Sequence, residues 1–250
     1  MSALLEVRDV RVHFGGVRAV DGVSFDVQEG TIAGLIGPNG SGKTSTFNLI
    51  TGFYTASAGT ITFAGDAILG RAPHEIARRG IVRTFQNVAL QPDRTLLENV
   101  MLGLYCNRSG LWRGLFDPRP ARQDEQRALE ILEFCGLYEL RDALSRNVPI
   151  GLRHTAELAR ALAARPKLLL LDEPWAGLNN AESAALIRTV RRIRDSKITV
   201  LVVEHNMKVI MEICDRITVL DAGRKIAEGS PAEVRANPAV IASYLGTAGH

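Results

Sequence analysis

Four stretches of this chain hold side chains of the kinds that handle phosphate. Gly37-Pro-Asn-Gly-Ser-Gly-Lys-Thr44 follows the apolar run Thr31-Ile-Ala-Gly-Leu-Ile36 and precedes Phe47-Asn-Leu-Ile50, so it reads as a strand, a phosphate loop and a helix. A helix N-terminus behind such a loop presents unpaired N–H donors and the positive end of the dipole. Glycines at Gly37, Gly40 and Gly42 let the backbone approach phosphate, Lys43 reaches the β and γ groups, and the Thr44 hydroxyl is placed to hold Mg²⁺. A pattern that fixes so few positions arises by accident in roughly one in a hundred chains of this length. The flanking strand and helix make accident a poor explanation. By itself the loop marks nucleotide binding and leaves kinase, GTPase, motor and transporter open.

The other three stretches end apolar runs. Lys167-Leu-Leu-Leu-Leu-Asp172 closes on Asp172-Glu173, where one carboxylate can bind Mg²⁺ through water and its neighbour can orient or deprotonate an attacking water. Gln86 follows Ile81-Val-Arg-Thr-Phe85 and is either a ligand for metal and water or an ordinary turn residue. His205 follows Thr199-Val-Leu-Val-Val203 and Glu204, where it either meets the γ-phosphate or is structural. Phe14, beside the Gly15-Gly16 turn, either stacks on an adenine or fills a sheet edge.

These groups need a scaffold, and the hydrophobic pattern supplies one. Leu4–Val12 and Val20–Val27 alternate as half-buried antiparallel strands do, and Gly59–Gly65 repeats the pattern. Pro73–Gly80 is a short helix closed by glycine. Between Asn87 and Leu158 strands give way to helical spacing, in Leu96–Leu104 and Gln126–Cys135, around an irregular Cys106–Arg122 segment that is a contact surface or a local fold-back. A helix is expected from Thr155 to Ala164, another from Ala181 to Arg194 with Leu186, Ile187, Val190 and Ile193 as its buried stripe, and a third from Met207 to Ile213. Two short strands flank Gly223, and Ser230-Pro-Ala-Glu233 is a capping box that starts a short C-terminal helix. Buried strands alternating with helices mean an α/β fold with a mainly parallel sheet. The expected organisation is one domain over 1–250, with a nucleotide-binding core in 1–86 and 159–230, a helical insertion in 87–158 and a C-terminal helix and tail in 231–250.

Composition narrows the partners. The chain has 250 residues and a formal charge of +3, too little to argue for nucleic acid or a membrane surface. No apolar run approaches the roughly 18 residues of a membrane span. Met1–Asp9 lacks the apolar core of a signal peptide, and Cys106, Cys135 and Cys214 form no C-x-x-C pair. They read as reduced and half-buried, and the location as cytoplasmic.

Taken together, the residues resemble the nucleotide-binding subunits of ABC transporters over essentially the whole chain. The resemblance makes Phe14 the adenine-stacking position, Gly37–Thr44 with Ser45 the Walker A loop, Gln86 the Q-loop, Leu168–Glu173 the Walker B strand with its catalytic glutamate, Ala176-Gly177-Leu178-Asn179 the D-loop and His205 the switch histidine. It implies a P-loop NTPase core with an N-terminal antiparallel β subdomain and an inserted helical subdomain. It also implies that the nucleotide contacts are Gly37, Pro38, Asn39, Gly40, Ser41, Gly42, Lys43, Thr44 and Ser45, and that the cofactors are ATP and Mg²⁺, the ion held by Thr44, Gln86 and Asp172. Arg83-Thr-Phe-Gln-Asn87, Leu97-Glu-Asn-Val100, Val203–Met207 and Tyr244-Leu-Gly246 are similar to the subunits of branched-chain amino acid importers, whose relatives import amides, urea or aromatic acids. The implied partners are a second ATPase subunit, integral membrane permeases and, indirectly, a solute-binding protein, with the chain peripheral on the inner membrane face.

One stretch departs from the family. The signature, Leu-Ser-Gly-Gly-Gln or Leu-Ser-Tyr-Gly-Gln in this subgroup, aligns with Val148-Pro149-Ile150-Gly151-Leu152, so only Gly151 is kept. In the family that serine and the following N–H groups contact the γ-phosphate of the opposite subunit. Pro149 has neither hydroxyl nor N–H. Pairing with a different ATPase of intact signature is therefore expected over a homodimer. A weakly active regulatory subunit and a soluble nucleotide-gated clamp are the alternatives.

Overall fold

The computed structural model describes residues 3–84, 89–105 and 121–245. Strands β1 (Ala3–Phe14) and β2 (Val17–Gln28) form an antiparallel hairpin, and β4 (Ala58–Phe63) and β5 (Asp66–Ala67) extend it in the order β2-β1-β4-β5. The second sheet has the order β10-β9-β3-β8-β7-β6, from β3 (Ile32–Ile36), β6 (Ile81–Arg83), β7 (Leu168–Asp172), β8 (Thr199–Val203), β9 (Arg216–Asp221) and β10 (Arg224–Gly229). All its pairings are parallel except β9 with β10. Every residue of β3, β7 and β8 is buried, which is why each reads as an unbroken apolar run rather than an alternation.

The period of two still decides which side each residue serves. Leu168, Leu170, Leu201, Val203 and Leu35 join one core, shared with the hairpin sheet and with α1 (Lys43–Ile50). Leu169, Leu171, Val200, Val202 and Ile36 face the opposite way, onto α6 (Asn180–Asp195) and α7 (Met207–Ile213). The sheet is thus covered on both faces, and its carboxyl edge is left open. The predicted stripe Leu186, Ile187, Val190 and Ile193 is buried against it.

Helices α2 (Pro73–Arg78), α3 (Leu96–Tyr105), α4 (Ala121–Phe134) and α5 (Ile150–Ala163) complete the middle of the chain. A third core of Leu96, Val100, Leu132, Leu137, Val148 and Ala159 joins α3, α4 and α5. Gly103 is where α3 and α5 approach: a Cβ there would overlap the Arg160 carbonyl and lie 2.9 Å from the Ala163 Cβ. Gly103→Ala is therefore expected to cost about 1–3 kcal/mol of stability, read from urea unfolding.

The structure differs from expectation in three places. Helix α5 begins at Ile150 rather than Thr155, because Pro149 stands at its N-cap and Gly151 is packed inside its first turn. The C-terminal region holds α8 (Pro231–Ala236), with the expected Ser230–Glu233 capping box, and a further helix, α9 (Pro238–Leu245). Cys135 and Cys214 are free and buried rather than half-buried, and burial pushes the Cys135 thiol up to about 12. Among the described residues no helix is long and apolar enough to cross a membrane.

Candidate functional site

Three strand ends at the open edge of the second sheet carry the predicted groups. β3 runs into the phosphate loop, β7 ends at Asp172-Glu173, and β8, between them, leads to Glu204-His205. The carboxyl edge of an open parallel sheet, where helices leave toward opposite faces, is where such folds bind ligands.

The loop is shaped by glycine at two decisive points. Gly37 has φ 153° and Gly42 φ 100°; a Cβ on the first would overlap the Leu220 carbonyl and one on the second would meet the Ala19 carbonyl at 2.5 Å. The backbone is so close to its neighbours that no side chain fits. Lys43 folds back, its Nζ donating to the carbonyls of Gly37 at 2.8 Å and Pro38 at 2.9 Å. Burial pulls its ammonium pKa down, and the carboxylates of Glu173, Asp172 and Glu204 oppose that. Thr44 next to it is exposed, and Ser41 Oγ is buried with no hydrogen-bond partner among the described residues. A donor-rich loop with a buried cation, an open hydroxyl and an unpartnered one fits a polyanion and its metal ion.

A cleft of about 510 Å³ opens over the loop, lined by Val17, Arg18, Asn39, Lys43, Thr44 and Glu173, among others. Its size suits a nucleotide. Arg18, Val17 and Ala222 were not foreseen, since nothing in their spacing sets them beside the loop. Phe14 is not among the lining residues; it lies edge-on to Tyr54, ring centroids 5.0 Å apart, while its cross-strand partner Val17 faces the cleft.

Glu173 is held in a left-handed backbone conformation, φ 48°, by its N–H bond to the Val203 carbonyl at 2.9 Å. A non-glycine residue in that region is strained, and the strain aims the carboxylate into the cleft. His205 Nδ1 lies 3.8 Å from Glu173 Oε1 and 3.5 Å from Glu204 Oε2. Glu204 is buried, and its Oε2 accepts the N–H groups of His205 at 2.7 Å and Asn206 at 2.9 Å, fixing the turn that presents the imidazole. Asp172 is paired with Arg83 rather than facing the loop alone, Arg83 Nη2 donating to its Oδ2 at 2.6 Å. Gln86 lies outside the described residues.

A chain with a phosphate loop, a strand-end carboxylate pair and a following histidine matches the model of the ABC transporter family over residues 20–176, more than half its length. The chain belongs to the ABC transporter family. This ATP-binding cassette also matches, over residues 224–250, the model described as branched-chain amino acid ATP-binding cassette transporter. It is 40% identical over 251 residues, covering 98% of both chains, to the high-affinity branched-chain amino acid transport ATP-binding protein BraF of Pseudomonas aeruginosa. It is 35% identical over 244 residues, again 98% of both, to the lipopolysaccharide export system ATP-binding protein LptB of Escherichia coli. A crystal structure of the ADP conformation of MJ1267, an ATP-binding cassette of an ABC transporter, superposes with a TM-score of 0.87 at 32% identity, covering 98% of this chain and 100% of that one. The fold is that of an ABC ATPase cassette, and ATP hydrolysis is the activity of the class.

The stretch expected to be the signature, Val148–Leu152, runs into the start of α5. Pro149 is the N-cap with no side-chain cap bond, Val148 is buried in the helical core, and Ile150 and Leu152 are exposed at 39% and 37%. Gly151 has a reason of its own within the chain: a Cβ there would lie 2.7 Å from the Glu182 carboxyl carbon. Glu182 belongs to the capping box of α6, accepting the Asn179 N–H at 3.0 Å while Asn179 Oδ1 accepts from Ala181 and Glu182. The predicted Ala176–Asn179 stretch thus ends as a helix cap locked against α5. Gly151→Ala should displace Glu182 and lower stability by about 1 kcal/mol, the usual worth of a cap. Chemical unfolding of Gly151→Ala/Glu182→Ala should show it no less stable than Glu182→Ala alone.

Proposed function

We propose that this cassette is the ATP-hydrolysing subunit of an importer for branched-chain amino acids or related small solutes, working in a head-to-tail pair with a second ATPase subunit of intact signature. The observation that carries the reading is the cleft in which Lys43, Thr44 and Glu173 converge, in a chain alike over its full length to transport ATP-binding proteins. The match of residues 224–250 to the branched-chain amino acid cassette model favours amino acids over the lipopolysaccharide of the 35% identical relative.

Residues Gly37–Ser45 wrap the phosphates, and the base lies toward Val17 with Phe14 at the rim. Mg²⁺, when bound with the nucleotide, would neutralise charge as it develops. Thr44 and Asp172 are the residues placed to hold it, with Gln86 as the third group. Among the described residues no group of three or more His, Cys, Asp or Glu side chains is arranged to hold a metal ion. Lys43 exchanges its two loop carbonyls for phosphate oxygens. Glu173 orients the attacking water and takes its proton, and His205 contacts the γ-phosphate from the adjoining strand.

The asymmetry follows from α5. Its first N–H groups, on Ile150, Gly151 and Leu152, lack intrahelical partners, but Pro149 adds neither hydroxyl nor N–H, and two apolar side chains flank them. A nucleotide on the partner would meet a weakened signature, whereas the nucleotide on this chain would meet the partner's intact one. A groove of about 350 Å³ between the core and α3 and α5, lined by Thr51, Phe53, Ile76, Leu102, Glu157 and Arg160 among others, supports docking of a permease segment on the inner membrane face. A regulatory subunit with little turnover is the second reading, favoured by Pro149 alone.

The test is Mg-ATP hydrolysis by the chain alone and mixed with a cassette of intact signature. Binding alone and turnover on mixing support the proposal. Turnover of the chain alone equal to that of the mixture replaces the heterodimer with a homodimer, and failure to bind ATP overturns the reading.

A further inference from the structure

Among the described residues Arg83 donates a hydrogen bond to the Asp172 carboxylate, and it is the last residue of β6. Its side chain is 7% exposed and that of Asp172 10%, so water contributes little to either. Nη1 donates to Asn48 Oδ1 at 2.7 Å, and the guanidinium lies 5.5 Å from the Phe47 ring centroid. The planar fork therefore bridges two elements, the end of β7 and one face of α1. Asn48 lies one helical turn beyond Thr44 on that face. The guanidinium is thus bound to Asp172 and to the face of α1 that also carries Thr44, the two residues to which the proposed function gives Mg²⁺.

Two cations then share one buried carboxylate. An ion pair sequestered from water is strong enough to matter, and a second positive charge brought to the same carboxylate is opposed by the first. Arg83 has another property that a purely structural bridge would not need. With Thr84, it also lines the groove between the core and α3 and α5, so a single side chain touches both the metal side of the cleft and the groove.

We propose that Arg83 is a positioning residue that holds Asp172 while the site lacks metal and gives that carboxylate up when Mg²⁺ arrives with nucleotide, so that loading the cleft frees a guanidinium at the groove wall. The inference rests on the reading of Asp172 as a metal-holding residue. Because coupling between two sites is reciprocal, anything in the groove that draws Arg83 away from Asp172 tightens the metal site by the same factor.

The experiment titrates Mg²⁺ into the full chain saturated with a fluorescent ADP analogue, with metal-free binding of the same analogue as the reference. Arg83→Gln removes the competing charge and should lower the half-saturating Mg²⁺ concentration by at least about fivefold, the low end of site-to-site coupling. Arg83→Lys keeps the charge on a single-point donor that cannot span Asp172 and Asn48, and should shift it in the same direction by about twofold or more. Metal-free ADP affinity should stay within about twofold in both. A half-saturation point that is unchanged or raised overturns the proposal, since a bridge that only braces β6 against α1 cannot tighten metal binding. If Arg83→Gln fails to fold because Asp172 is left buried without a countercharge, Arg83→Lys decides alone on the same criterion. Wild-type protein that binds ADP but shows no response to Mg²⁺ overturns the metal role of Asp172 and this inference with it; a normal wild-type response with unshifted variants overturns the inference only.

Discussion

The cassette carrying Glu173→Gln is expected to bind ATP with near-unchanged affinity and to hydrolyse it at least about a hundredfold more slowly, the lower end of what a positioned general base contributes. The substitution preserves volume and one acceptor oxygen but removes the charge and the ability to take a proton. Its backbone cost is small, because the strained φ of 48° is fixed by the residue 173 N–H bond to Val203, which an amide side chain does not disturb. Binding is spared for a related reason. Glu173 is one of several carboxylates near Lys43, with Asp172 and Glu204 remaining to balance it. Phosphate release and equilibrium nucleotide binding, measured on the same preparation with the partner subunit present, separate the two effects. Residual turnover within about threefold of wild type would remove Glu173 from the role of base and shift it to His205, whose Nδ1 is 3.8 Å from the same carboxylate.

What could be read in the sequence follows from how local each constraint is. Leu168–Leu171 and Val200–Val203 announce buried parallel strands because burial on both faces demands unbroken apolar runs, and the phosphate loop announces itself because Gly37 and Gly42 answer to a backbone that leaves no room for Cβ. The Ser230 and Asn179 helix starts are equally local, each a side chain capping N–H groups within three residues. The start of α5 was hidden for the opposite reason. Pro149 and Gly151 are poor helix formers ahead of the expected start at Thr155, yet at an N-cap and in the first helical turn neither removes an intrahelical bond. The Arg83–Asp172 pair joins residues 89 positions apart and exists only because β6 and β7 are parallel neighbours. Phe14 packs edge-on to Tyr54, a contact between separate elements that no spacing rule encodes. The long-range pairings are what the folded chain adds, and they reach both Asp172 and Phe14.

Pro149→Ser combined with Leu152→Gln is expected to raise Mg-ATP hydrolysis by the chain alone by about tenfold or more. A hydroxyl restored to a charge-assisted hydrogen bond contributes about 1.5–3 kcal/mol, and each 1.4 kcal/mol off a barrier is tenfold in rate. Serine is also a better N-cap than proline, so the change should hold α5 at least as firmly, and Leu152 is exposed enough that glutamine costs no core packing. In the pair with an intact partner the same substitutions should do much less. In the proposed pairing this chain's nucleotide would already face a complete signature, so the only gain would be the partner's site, at most about a doubling of the total. The ratio of the two responses is therefore the informative quantity. A large gain alone with a small gain in the pair is the pattern of one complete and one crippled site. Equal small changes in both would mean that the free N–H groups of Ile150, Gly151 and Leu152, with the helix dipole behind them, already serve the phosphate without a hydroxyl, and that two copies of this chain suffice.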